Sequence, residues 1–179
     1  MFLPNSYTDW LEMELDTLDV ALLRLLTEHP RIGVLELSRL AGVARATVTA
    51  RMERLRTSGA VTGYGPEIDL AAAGYPVQAY VTLEIAQGRL DEVTEHLVAL
   101  PGVLEAYATT GTGDVLCRLA ARSNDDLQQI LLELNRSTGI RRSTSVVVLS
   151  TVVAHRTLPL LTHGVQRGAH HAPSYKSPA

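Results

Sequence analysis

Along the first third of the chain the apolar residues recur every three or four positions. Leu15, Leu18, Leu22, Leu25 and Leu26 share one side of a helix, which Asp16 or Thr17 can cap and Pro30 ends. "GVLELSRLAGV" predicts a second, short helix with Leu37, Leu40 and Ala41 on one side. Gly42 follows where the chain must turn sharply, and glycine takes the left-handed conformation without steric cost. A third helix, from Arg45 to Ser58, buries Val48, Met52 and Leu55 at i, i+4 and i+7, and Gly59 is placed to stop it.

The pattern then changes. "AVTGYGPEIDLAAAGYP" is rich in Gly and Pro and reads as a hairpin and linker, with a domain boundary near Gly74. "VQAYVTLEI" alternates cleanly, with Val77, Ala79, Val81, Leu83 and Ile85 on one face and Gln78, Tyr80, Thr82 and Glu84 on the other. A helix follows, with Leu90, Val93, Leu97 and Leu100 on its stripe. "PGVLEAYATT" and "DVLCRLAA" are strands joined by "GTG". "SNDDLQQILLELNRSTG" is a helix whose Ser123 and Asp126 have capping-box spacing. "RRSTSVVVLSTVVA" predicts a last, long strand.

The order βαββαβ is the split βαβ arrangement of ferredoxin-like domains. The fold class is therefore α+β: an N-terminal winged helix-turn-helix, then a ferredoxin-like sandwich. Residues 1–14 form an extension, 15–63 the winged helix-turn-helix, 64–75 a linking strand or hairpin and 76–158 the ferredoxin-like domain. The Gly/Pro/His-rich segment 159–179 is expected to be disordered. Such a sheet has helices on one face only, yet "SVVVLSTVV" is apolar on both, so a second copy of the chain is expected to cover the open face.

Composition changes this picture at one point. The chain is 46% hydrophobic and 20% charged, ordinary for a globular protein, and its 4% aromatic content makes the core aliphatic. Cys117 is the lone cysteine, which excludes an internal disulfide and a multi-cysteine zinc site and fits a reducing cytoplasm. The N-terminus lacks the pattern of a secretory signal, and no apolar stretch reaches membrane-helix length. The anomaly is charge. A chain of net charge −3 places Arg45, Arg51, Arg54 and Arg56 within three turns of one helix, with Glu53 as the sole acid there. Once Val48, Met52 and Leu55 dock, Thr47, Arg51 and Arg54 form the adjacent stripe, flanked by Arg45, Thr49 and Arg56. A solvated helix would mix signs through i,i+4 pairs. The alternative is the plain surface of a three-helix bundle. In a winged helix-turn-helix the second helix of the motif enters the major groove of double-stranded DNA, where Arg bonds guanine and neutralises phosphates. Arg45, Thr47, Thr49, Arg51 and Arg54 are the expected DNA-facing residues.

"LD…D…LL", "ELSRLAGVA", Arg51-x-x-x-Leu55, "SGAVTGY", "PGV" at Pro101–Val103 and "GTGD" at Gly111–Asp114 occur in the order and spacing of a known family. From Leu15 to Leu158 the chain resembles the Lrp/AsnC, or feast/famine, transcription regulators. The resemblance implies a DNA-binding regulator that dimerises sheet against sheet and often assembles into octamers. It implies a small effector, commonly an amino acid, bound between dimers at the G-x-x-D loop. Gly111, Gly113 and Asp114 would form that loop here, faced by Thr138, Ser143 and Ser145. Glycine amides can point at a ligand carboxylate and Asp114 can take an ammonium group; the alternative is a tight turn in which Asp114 bonds backbone amides. The chain departs from the family at Ala44, where a capping Ser is frequent, and at Gly113, where an aromatic is frequent. Ala is a poor cap, and Gly113 predicts a more flexible loop.

No His-Glu-x-x-His or Ser/His/Asp pattern supports catalysis, and neither a catalytic residue, a metal ligand nor a cofactor is assigned. His96 reads as a surface or capping residue and Cys117 as a small core residue. The rival enzyme reading comes from sirohaem decarboxylases, which resemble the same two-domain architecture but need no basic reading face.

Overall fold

The computed structural model describes residues 14–168. Its chain forms two compact units, one from Glu67 to Val153 and the other made of the residues before and after it.

The first unit holds α1 (Thr17–Glu28), α2 (Val34–Ala41) and α3 (Arg45–Thr57). Asp16 caps α1 through a reciprocal box: its side chain accepts from the Asp19 amide, and the Asp19 side chain accepts from the Asp16 amide. Gly42 ends α2 in the left-handed conformation, at φ 66°, and sets the turn into α3. Leu22, Leu37 and Val48, one from each helix, form the core, with Leu18, Leu25, Leu26 and Met52 packed around them. Leu40, expected beside Leu37, is instead 50% exposed.

No strand forms between α3 and β1 (Val77–Ile85), so the expected hairpin is replaced by irregular chain and a turn. In that turn Asp69 accepts from the Ala72 amide through its side chain and from the Ala73 amide through its carbonyl. Gly63, Gly65 and Pro66 deprive the segment of β-forming side chains and of one ladder donor.

The second unit is a four-stranded antiparallel sheet in the order β2-β3-β1-β4, from β2 (Val103–Ala108), β3 (Val115–Ala121) and β4 (Ile140–Val147). Helices α4 (Leu90–Ala99) and α5 (Asn124–Leu134) cover one face. Val93, Leu97, Leu127 and Leu134 from the helices meet Ala79, Val81, Leu83, Cys117 and Leu119 from the strands. Ser123 caps α5, accepting from the Asp126 amide, while the Asp126 carboxylate reaches back to the Arg122 amide. His96 Nε2 donates to the Glu133 carbonyl at 3.0 Å, tying α4 to α5. Among the described residues the other face of the sheet is uncovered: Tyr80, Tyr107 and Val146 stand there, 42–64% exposed.

β4 ends at Val147, earlier than the apolar run predicts. It pairs with β1 from Ile85↔Ile140 to Ala79↔Val147, and the last bond is Val148 N–H to the Gln78 carbonyl. β1 begins at Val77, opposite Leu149, so beyond that residue no strand remains to pair with, and Leu149 and Val152 are almost wholly exposed.

The chain then rejoins the first unit. Residues 159–168, expected to be disordered, belong to a helix, α6 (Leu158–Gly168), packed on α1. Leu158, Leu161, Thr162 and Val165 recur at helical spacing and are partly buried, and Arg24 of α1 donates to Thr162 Oγ1 at 3.5 Å. The expected disorder of 169–179 and the extension before Glu14 lie outside the described residues. Among the described residues no helix is long and apolar enough to cross a membrane.

Candidate nucleic-acid interface and effector turn

Val48 and Leu55 are completely buried, fixing which side of α3 faces its own unit. Ala44 occupies the N-cap in extended conformation and contributes no side-chain bond, as its residue type dictates. Just after it, Arg45, Thr47 and Thr49 are all exposed. Thr49 Oγ1 donates to the Arg45 carbonyl at 3.1 Å, which leaves its oxygen free to accept. Arg45 makes no ion pair among the described residues.

The second half of α3 is arranged differently. Arg51 and Arg54, expected to face outward, both turn onto α1. Arg51 Nη1 bonds Asp16 Oδ2 and lies 3.2 Å from Asp19 Oδ1, while Arg54 Nη2 bonds Asp19 Oδ2. Asp19 is entirely buried, whereas the Arg51 and Arg54 side chains keep 28% and 43% of their surface. The Asp16 carboxyl titrates below its ordinary value: burial pushes it up, but the Asp19 amide and the Arg51 guanidinium lower it further. The hydrogen bonds that Arg51 donates to Asp16 and Asp19 raise its own pKa in turn. Arg56 is paired with Glu53, three residues away. Of the four arginines, only Arg45 lacks an acidic partner within the described residues.

In the second unit the turn Gly111–Asp114 joins β2 to β3. Asp114 is bound to the neighbouring strand: its Oδ2 accepts from the Ile85 amide at 2.6 Å, and its own amide donates to the Leu83 carbonyl at 2.8 Å. Thr109 closes the turn onto the Gly113 carbonyl at 3.0 Å. Gly111 is left-handed, at φ 116°. Gly113 is buried, and a Cβ there would lie 2.2 Å from Thr82 Cγ2. The expected flexibility therefore does not describe Gly113, whose lack of a side chain lets the turn lie against β1.

The remaining candidates make no hydrogen bond to the turn among the described residues. Thr138 accepts from Arg89 Nη2 at 2.9 Å and donates to Glu92 Oε1, at the start of α4. Ser143 and Ser145 stand opposite Leu83 and Val81, on the helix-covered side of the sheet. A cleft of about 260 Å³ beside the turn is lined by Thr82, Glu84, Thr112, Arg142 and Thr144. Arg142 Nη1 is 3.9 Å from Glu84 Oε1. Residue alternation already separates Thr82 and Glu84 from the core face of β1, but the sequence does not reveal a concavity there.

Cys117 is buried and its thiol is pushed up to about 11 by burial, so it is neutral near pH 7. Among the described residues no three His, Cys, Asp or Glu side chains come together to hold a metal ion.

A helix-turn-helix with an exposed Arg/Thr face, carried with a ferredoxin-like unit, defines a DNA-binding protein with a separate ligand-binding or assembly domain. Similarity to known proteins narrows the class. Residues 15–56 match the AsnC-type helix-turn-helix domain, and residues 78–158 match the Lrp/AsnC ligand binding domain. The HTH-type transcriptional regulator AldR of Mycolicibacterium smegmatis is 30% identical over 133 residues, 73% of this chain and 78% of AldR. The solved structure of E. coli AsnC superposes with a TM-score of 0.77 at 26% identity, covering 82% of this chain and 100% of AsnC. The M. tuberculosis feast or famine regulatory protein, solved with L-methionine, gives a TM-score of 0.72 at 26% identity, over 80% of this chain and 98% of that one. The chain belongs to the Lrp/AsnC family of DNA-binding transcription regulators.

Proposed function

We propose that this regulator acts in the cytoplasm as a symmetric dimer or larger assembly, presenting two copies of α3 to a pseudo-palindromic site, and that an amino acid controls it. The observation that carries the DNA reading is the exposed first half of α3, with Arg45 and Thr49 on one side of the helix and Thr47 on another. Placed at the start of the helix, these residues sit where recognition helices contact base edges. The same exposed residues and the regulator names of the relatives favour a non-enzymatic role. Tyr80, Tyr107 and Val146 on the uncovered sheet face support pairing with a second copy.

Gly111, Gly113 and Asp114 are the proposed effector turn. Among the described residues Thr138, Ser143 and Ser145 make no hydrogen bond to the turn within their own chain, and the proposed site brings the two sets together between dimers. An amino acid is supported by the L-methionine bound in the M. tuberculosis relative. It is also supported by the adjoining Arg142 and Glu84 on the wall of the adjacent cleft, a pair whose two charges complement a zwitterion. The effector shifts the assembly by binding one state more tightly than another.

The test is binding to duplex DNA from upstream of the protein's own gene, across salt concentrations and with a panel of amino acids. The expected result is sequence-preferring affinity that falls steeply with salt and changes with at least one amino acid. Equal affinity for scrambled duplex would remove the regulatory reading of α3. Indifference to every amino acid, in both affinity and assembly size, would remove the effector assignment.

A further inference from the structure

We propose that Asp19 is a positioning residue for the DNA-reading helix, and that Arg51 and Arg54 serve to dock α3 rather than to read DNA. DNA reading then falls to Arg45, Thr47 and Thr49. This rests on the reading of α3 as the DNA-facing helix.

The carboxylate of Asp19 is wholly buried, and its oxygens accept from the Asp16 amide, Arg51 and Arg54. The cluster is neutral, two carboxylates with two guanidinium groups, so it offers DNA no net charge. For either arginine to move to a phosphate it must leave a buried anion, and removing a partner from such a pair is costly because the remaining charge cannot reach water. Arg51 is held doubly, since Asp16 grips the same nitrogen. Arg45, six and nine residues earlier, lies roughly 9 and 13 Å away along the helix axis and is under no such restraint. The two ends of α3 thus have separate duties, one anchoring and one reading. Asp19 also closes the capping box of α1, so the same carboxylate fixes the start of α1 and the angle of α3 upon it.

The experiment uses the full chain, duplexes it selects from a random pool, and a scrambled duplex. Wild type, Arg45→Gln, Arg51→Gln, Arg54→Gln and Asp19→Asn are compared for the slope of log affinity against log salt, specificity ratio and thermal midpoint. An arginine that neutralises one phosphate contributes about 0.9 to that slope. Arg45→Gln is expected either to lower the slope by that amount or to relax preference at one base position, with the midpoint unchanged. Arg51→Gln and Arg54→Gln are expected to keep the slope and lower the midpoint. Asp19→Asn is expected to lower the midpoint and shrink the specificity ratio tenfold or more, although it frees two arginines. If Arg51→Gln or Arg54→Gln lowers the slope by about 0.9 at an unchanged midpoint, that arginine touches DNA and the proposal falls. It falls equally if Asp19→Asn leaves the specificity ratio intact. If wild type selects no duplex, the DNA reading itself fails and takes the inference with it, a result recognised before any variant is compared.

Discussion

The arginine-rich helix α3 and the Gly111–Asp114 turn, the two regions singled out by motif, have one feature in common. In each, a charged residue of the motif is bonded to its own fold: Arg54 to Asp19, and Asp114 to the Ile85 amide. The difference lies in what remains. On α3 the inward pairs occupy one half of the helix and leave Arg45, Thr47 and Thr49 free in the other. At the turn the bonded residue is the motif's only acid, and apart from Thr112 the polar groups lining the cleft beside it come from β1 and β4. A charge counted in sequence is therefore available for binding only if no buried partner has claimed it.

Four substitutions put that contrast at risk. Asp19→Ala should have the largest effect, roughly 3 kcal/mol, the low end for breaking a buried pair, because both arginines retain some access to water. Denaturant unfolding of the full chain measures it; a loss below about 0.5 kcal/mol would mean the cluster is not an anchor. Gly113→Ala should cost about 2 kcal/mol by overpacking against Thr82. Adding Thr82→Ser, which deletes the methyl group in the way, should restore most of that stability; no rescue would place the strain elsewhere. Ala44→Ser should stabilise by about 1 kcal/mol by supplying the missing cap, and a thermal midpoint that does not rise would show that the start of α3 is held by other means.

Asp16→Asn should have the smallest effect, and one that depends on pH. The folded carboxyl titrates below its unfolded value, so its contribution is complete above about pH 4 and is lost as pH falls through the folded value. Arg51 and Asp19 are the charged groups facing it, and Arg51 keeps its charge throughout. Wild type and Asp16→Asn should therefore converge in stability below that range. A constant gap down to pH 2 would assign the effect to shape rather than charge.

Most of the fold is legible in the sequence because it depends on local period. Leu18, Leu22 and Leu25 declare a helix, and Val77 to Ile85 declare a strand, whatever surrounds them. Periodicity fails where the answer lies far along the chain. Arg51 and Arg54 meet Asp19, more than thirty residues away on another helix, and a period gives a residue's face without giving its neighbour. Ser150 to Val153 continue an apolar run long enough for a strand, but β1 has no backbone left to pair with them. Ser143 and Ser145 alternate with Arg142 and Thr144, and only the register with β1 shows which set meets the cleft. α6 is hidden by composition, since Pro159 and Gly164 mask the stripe of Leu158, Leu161, Thr162 and Val165.

That last helix has a practical consequence. The chain leaves the DNA-binding unit at Pro66 and rejoins it at Ala154, so this unit is encoded in two separate pieces. A fragment ending at Pro66 would carry the whole helix-turn-helix motif and yet lack the helix that covers one flank of α1. For the same reason, a chimera that exchanges effector domains with a relative must be spliced at two joints, because a single crossover would also replace part of the DNA-binding unit.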